Sequence, residues 1–135
     1  MTVAAGTEVP FQEIQVVTRE ILKAYAQASG DNNPIHLDEE VAKGVGLPGV
    51  IAHGMLIAGY IGERAERFVR EQVSGDGWRI GRFQVRFKAM TFPGDAVSVG
   101  GAVKQATADE IVLDLRAQKQ TGEVTTTATV AVKRC

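Results

Sequence analysis

The chain of 135 residues has a single cysteine, Cys135, at its last position. One thiol can neither close an internal disulfide nor build a thiolate zinc site, so a reducing compartment is expected. A charge surplus is also missing: 15 Lys and Arg stand against 16 Asp and Glu. A nucleic-acid protein would carry a basic excess or stripe, so no such partner is expected. Long apolar runs are absent as well. The longest, Val50 to Ile61, has 12 residues and contains His53, whereas a membrane span needs about 20. The N-terminal Met1-Thr-Val-Ala-Ala-Gly6 has no basic or apolar region of the kind an export signal needs. A cytoplasmic protein with no membrane partner is expected. Repeats, low-complexity tracts and Pro/Ser linkers are lacking too.

What remains is ordinary for a soluble globular domain: 44% hydrophobic and 23% charged residues. The length suits one domain over 1–135, able to bury about 68–70% of its unfolded surface. Glycine alone is in excess, at 15 residues, which points to tight turns and close backbone approaches.

The apolar period changes near residue 75. Before it, Glu8 to Val17 reads as a short strand, and Thr18 is placed to cap a helix whose apolar face is Ile21, Leu22, Tyr25 and Ala28. Gly30 suits a left-handed stop. Asp38, Glu39 and Glu40 open a second short helix, ended by Gly44, Gly46 and Pro48. A third helix, from about His53 to Gln72, is apolar on nearly every side at first. Later it carries the i,i+4 pairs Glu63/Arg67, Glu66/Arg70 and Arg67/Glu71 on a solvated face. Beyond residue 75 apolar residues alternate in four strands, one containing Phe83, Val85 and Phe87, one Val97, Val99 and Val103, and the last two Ile111–Ala117 and Val124–Val132. Tight links predict an antiparallel meander. The class is α+β: one sheet packed on one long helix, with open edges that a symmetric dimer could cover.

Both histidines, His36 and His53, fall close together. The first ends the peptide Ser29-Gly-Asp-Asn-Asn-Pro-Ile-His36. Turn-forming residues followed by Pro34 predict a rigid loop, expected to lie outside the core. Asp31 and His36 across that turn could share one water as an acid/base pair working near neutral pH. Two other readings stay open. Asp31 could serve only as an Asx turn, with His36 a cap or packed polar residue. Alternatively His36, His53 and Asp31 or Asp38 could bind a metal, although the spacing matches no helical or hairpin ligand pair. Gly54 begins the long helix, where exposed amides and the helix dipole favour developing negative charge. It could equally be small so that the helix can enter the sheet.

Two peptides, Tyr25-Ala-Gln-Ala-Ser-Gly-Asp-Asn-Asn-Pro-Ile-His36-Leu-Asp and Gly49-Val-Ile-Ala-His-Gly-Met55, resemble the MaoC-like, hydratase type 2 group of hotdog proteins. Arg86-Phe-Lys and Phe92-Pro-Gly-Asp95 extend the match over most of the chain. The resemblance implies a single hotdog fold: an antiparallel sheet of about five strands wrapped around a long helix. It implies Asp31 and His36 as the catalytic pair, Gly54 NH as oxyanion donor and Asn33 as loop support. The implied activity is (R)-specific hydration of trans-2-enoyl-CoA, or the reverse. Alternatives are a (3R)-hydroxyacyl-ACP dehydratase subunit, a non-catalytic acyl-thioester binding module, or a thioesterase on the same fold. No metal or redox cofactor is implied, since the CoA or ACP arm belongs to the substrate. A homodimer is expected, or a hetero-oligomer with another hotdog subunit. Arg82, Arg86, Lys88 and Lys104, at polar strand positions, are candidates for the thioester arm, or simply the wet face of a sheet.

Overall fold

The computed structural model describes residues 3–73 and 75–134, so Cys135 lies outside the described residues. Strand β1 (Glu8–Val16) leads into α1 (Arg19–Ser29), a single 3-10 turn (Pro34–His36), α2 (Glu39–Gly44) and the long α3 (Gly54–Gln72). Strands β2 (Trp78–Phe87), β3 (Ala96–Ala106), β4 (Glu110–Gln118) and β5 (Val124–Arg134) follow. Among the described residues no helix is long and apolar enough to cross a membrane.

Local chemistry sets the helix ends. The Thr18 hydroxyl accepts from the Ile21 amide at 3.2 Å, filling an orphan position of the first turn. Gly30, at φ 80°, closes α1 in the left-handed conformation, its amide donating to Ala26 O. The buried face of α1 is Leu22 and Ala26 rather than Ala28. Asp38 caps α2 by accepting from the amides of Glu40 and Val41. Helix α3 buries Leu56, Ile57, Ala58, Ile61, Ala65, Phe68 and Val69. They pack on inward residues of the sheet, among them Val99, Leu113, Leu115, Val130 and Val132. The solvated face of α3 carries Arg67–Glu63 at 3.2 Å and Arg70–Glu66 at 3.7 Å. Among the described residues Arg67 pairs with Glu63, not with Glu71. Arg64 departs from that wet face. It is 2% exposed, and its Nη2 donates to Pro10 O at 2.8 Å, serving a carbonyl where β1 bulges between Val9 and Gln12.

All neighbouring strands are antiparallel, in the order β1-β3-β4-β5-β2. Only β3, β4 and β5 form a meander. The expected four-strand meander is corrected at β2, which pairs with β5, from Trp78 with Arg134 to Phe87 with Thr126. The reason lies in residues 88–95. Lys88 and Ala89 donate to Thr125 O, holding the exit of β2 against β5. The Phe92–Asp95 turn instead docks on β1: Val17 N donates to Asp95 O at 2.9 Å, and Gly94 N to Val17 O at 2.7 Å. That docking delivers β3 to the side of β1. Glycine lets β3 curve around the helix. A Cβ on Gly100 would strike the Phe11 ring, and one on Gly101 would strike the Asp114 carbonyl.

Candidate active site

The loop after α1 is built from consecutive side-chain turns. Ser29 Oγ accepts from the Asp31 amide at 3.2 Å, Asp31 Oδ1 from the Asn33 amide at 3.3 Å and Asn33 Oδ1 from the Ile35 amide at 3.2 Å. Each step is an Asx- or Ser-type turn, a local substitute for backbone pairing. The His36 amide closes the 3-10 turn on Asn33 O at 3.1 Å. The loop therefore holds its shape through its own side chains.

Asp31 is exposed, but His36 is only 9% exposed, so the expectation that the loop lies outside the core holds for only one of the two. His36 is drawn inward by residues 50–53, which run extended beneath it. The Ile51 amide donates to Ile35 O at 3.1 Å, and the Ala52 amide to Thr91 O at 2.8 Å. His36 Nδ1 lies 2.7 Å from Ile51 O. A carbonyl can only accept, so Nδ1 carries the hydrogen and Nε2 of the neutral ring keeps its lone pair.

His53 lies directly against His36. The rings stack with centroids 3.8 Å apart and planes 23° from parallel. Tyr25 meets His53 edge-on at 4.7 Å. His53 is 1% exposed, and its Nε2 lies 3.1 Å from Asp31 O. Burial pushes His53 below the usual imidazole value. The hydrogen bond to Asp31 opposes that, and the nearby His36 adds to it. Sequence reasoning gave His53 only a place in a metal set. Its packing role could not be read from a residue preceding a helix.

One carboxylate oxygen of Asp31 and one ring nitrogen from each histidine lie within 4.8 Å of one another. Two groups each about 2.8 Å from one water oxygen stand about 4.5 Å apart, so this spacing suits a shared water. It suits an ion poorly. A zinc ion needs nitrogens at about 2.0–2.1 Å, and near-parallel stacked rings aim their in-plane lone pairs side by side rather than at one point. Asp38 is committed to capping α2.

Gly54 opens α3. The helix has no side-chain cap, because the ring of its N-cap residue, His53, is turned toward Asp31. Of its first-turn amides, that of Leu56 donates to His53 O at 3.2 Å, and those of Gly54 and Met55 stand at the electropositive start of the helix, next to His53. A Cβ on Gly54 would lie 3.1 Å from the Phe87 ring, so glycine here is also a packing requirement. From this end an apolar groove of about 520 Å³ runs along α3 against β2, floored by Met55, Ala58, Gly59, Gly62, Ile80 and Phe83. Its rim includes Glu63, Glu66 and Arg70.

The four candidate cations are exposed and do not form one cluster. Arg82 and Arg86 lie on β2, and Lys88 just beyond it, whereas Lys104 is on β3, across β5 and β4. Arg86 instead lines a polar groove on the outer face of the sheet with Asp114, Arg116 and Thr127.

The architecture is one antiparallel sheet wrapped on one long helix, with the Asp31/His36 loop beside that helix's N-terminus, and comparison with known proteins gives its family. Residues 2–132 match the MaoC like domain family, and the chain belongs to that family. It is 40% identical over 77 residues to the fatty acid synthase beta subunit TOXC of Cochliobolus carbonum, covering 57% of this chain and 4% of that protein. It is 43% identical over 47 residues to the mitochondrial 3-hydroxyacyl-[acyl-carrier-protein] dehydratase of Arabidopsis thaliana, covering 35% of this chain and 28% of that one. Among solved structures, the (R)-hydratase from A. caviae involved in PHA biosynthesis superposes with a TM-score of 0.82 at 26% identity, covering 100% of this chain and 99% of that one. The chain thus spans a small fraction of the curated relatives it matches, and nearly all of that hydratase.

Proposed function

We propose that this chain adds water across the double bond of a trans-2-enoyl thioester to give the (R)-3-hydroxyacyl thioester, or runs the reverse dehydration. The observation that carries the reading is the grouping of the Asp31 carboxylate with the His36 and His53 rings beside the start of α3, the helix whose next residue, Met55, begins an apolar groove. The water oxygen bonds to C3 and loses a proton to the pair, the π electrons move toward the thioester carbonyl, and C2 takes up a proton. Asp31 and His36 share these proton transfers as one coupled unit. Charge develops on the thioester oxygen, where the Gly54 amide stabilises the transition state more than the ground state. The acyl chain lies in the groove along α3, and no cofactor takes part. Asn33 holds the loop, and Arg82, Arg86 and Lys88, on or next to the edge strand β2 that walls the groove, are the cations that a CoA phosphate or acidic carrier would meet.

The free edge of β2, with Phe87, Met90 and Met55 among the exposed large apolar residues, favours a second copy continuing the sheet. Light scattering should give about twice 14.4 kDa; a fully active monomer would remove this part of the reading. The family likeness to an acyl-carrier-protein dehydratase keeps a carrier-protein substrate as the second reading. Absorbance at the enoyl-thioester band, with crotonyl-CoA, longer enoyl-CoAs and enoyl-ACP, tests both. Asp31→Asn and His36→Ala should each lower hydration about 10²–10⁴-fold, and the double variant little more. Near-wild-type turnover in either single variant defeats the pair. Release of free thiol would indicate a thioesterase, and binding without turnover a binding module.

A further inference from the structure

We propose that His53 is the positioning residue of the Asp31–His36 pair, one buried side chain that sets both members at once. The inference rests on the hydration reading for its kinetic test, but its geometry stands apart from any substrate. His53 touches both halves. Its Nε2 donates to the main-chain oxygen of Asp31 at 3.1 Å, and its ring face supports the His36 imidazole at 3.8 Å. Neither Asp31 nor His36 has another anchor of both kinds. Among the described residues the Asp31 side chain is held by a turn within its own loop, and His36 is fixed in its plane by Ile51 O. The ring stack is what prevents His36 tilting out of that plane, and the Nε2 bond is what ties the loop carrying Asp31 to the start of α3.

His53 is suited to hold rather than to transfer protons. With its Nε2 hydrogen directed at a carbonyl, the neutral ring has an unprotonated Nδ1, and that atom is buried with no polar partner among the described residues. The direction of its pKa, below the ordinary value because of burial, favours the neutral ring. Tyr25 locks the ring from its edge. The same residue also leaves the helix start without a side-chain cap: its ring is engaged with Asp31 O, and only its main-chain oxygen takes a first-turn amide, that of Leu56, so the Gly54 amide is not claimed by the His53 side chain.

Three variants separate the two contacts. His53→Phe keeps the stack and loses the donor. It also removes a buried acceptor that has no partner, so the fold should survive. His53→Gln keeps a donor near the Nε2 position and loses most of the stack. His53→Ala loses both. Phe and Gln should each lower kcat about 5–10-fold and Ala about 100-fold, with KM within about threefold of wild type, the scale on which sub-ångström misplacement acts. Hydrogen exchange on the ligand-free protein supplies a reading independent of turnover. The amides of Asn33 and Ile35 should exchange about tenfold faster in His53→Phe and His53→Ala, and at the wild-type rate in His53→Gln. Unchanged kcat in His53→Ala, a loss confined to KM, loop exchange insensitive to all three variants, or failure of His53→Phe to fold would each overturn the proposal. Wild-type protein inactive on every enoyl thioester, but with the exchange pattern above, would overturn the hydration reading and leave the positioning role standing.

Discussion

Gly54→Ala puts the smallest possible group into the contact between the helix start and Phe87. The added Cβ would lie 3.1, 3.3 and 3.4 Å from three carbons of the Phe87 ring, against a comfortable separation of about 3.5–4.0 Å. Relief needs a shift of about half an ångström. Phe87 is the part that moves, because it is 49% exposed and ends its strand, whereas the helix is fixed by Leu56, Ile57 and Ile61 in the core. Overpacking in a closed core costs about 1–3 kcal/mol. With one side open, about 1 kcal/mol or less is expected, partly offset by the better helix propensity of Ala. The melting temperature should therefore barely change. Activity should fall about tenfold, because the displaced ring borders both the Gly54 amide and the groove mouth. Turnover of crotonyl-CoA by Gly54→Ala, Phe87→Ala and the double variant, alongside thermal melts, measures the coupling. Phe87→Ala makes room for the new methyl group, so the double variant should be no worse than Phe87→Ala alone. A Gly54→Ala enzyme with full activity, or a double variant in which the two losses simply multiply, would refute steric coupling between these residues.

Further outcomes follow from other contacts. Asp95 accepts from the Phe92 amide at 2.8 Å and from Gln120 Nε2 at 3.2 Å, and pairs with Lys119 at 3.2 Å, the Asp95 and Lys119 side chains being largely buried. Burial alone would raise its carboxyl, but the Phe92 amide, Gln120 and Lys119 outweigh that and hold it below the ordinary 3.8. Its stabilising share is therefore complete above about pH 4 and lost as the pH falls through the lowered folded value. Asp95→Ala should cost about 2–4 kcal/mol at neutral pH by denaturant titration, and should lose less than wild type on acidification. Gly101→Ala drives a Cβ into the Asp114 carbonyl of the neighbouring strand, so β3 and β4 must part; a loss of at least about 3 kcal/mol is expected in the same titration. Hydratase activity should survive EDTA; loss on chelation restored by one metal would revive the two-histidine metal site despite the stacked rings.

Features held by short-range chemistry could be read along the chain. The Thr18 and Asp38 caps, the left-handed Gly30 and the limits of α3 each depend on residues within a few positions. So does the Ser29–His36 loop, whose Asx turns are local by construction. The pairing of β2 was not legible, because it is decided by where the 88–95 connection docks on β1 and β5. Arg64 was read with its charged neighbours, and only the β1 bulge gives it a reason to be buried. His53 was visible as a histidine beside Gly54, but its stack on His36 depends on residues 50–53 running under the loop. Alternation marked Arg82, Arg86, Lys88 and Lys104 as polar positions, and could not tell that Lys104 sits strands away from the others.

The crossover that takes β2 past β3 to β5 also orders the folding of the sheet. Ala106 meets Ile111 across the β3–β4 hairpin, whereas Phe87 waits for Thr126. The longer closure carries an extra entropic cost of about 2 kcal/mol. The β3–β4–β5 hairpins can therefore assemble from neighbours in sequence, while β2 and β1, whose Val16 must find Ala96, join later, once α3 has a surface to lie on. In a lone protomer a strand added late, with one edge unpaired, also comes away early in native-state fluctuations, and a second copy continuing the sheet would hold it in place. In pulse-labelling, β2 amides should gain protection after those of β4. The strand that walls the groove is then one of the two that close late, and access to the groove becomes a matter of partial unzipping rather than of a hinged lid.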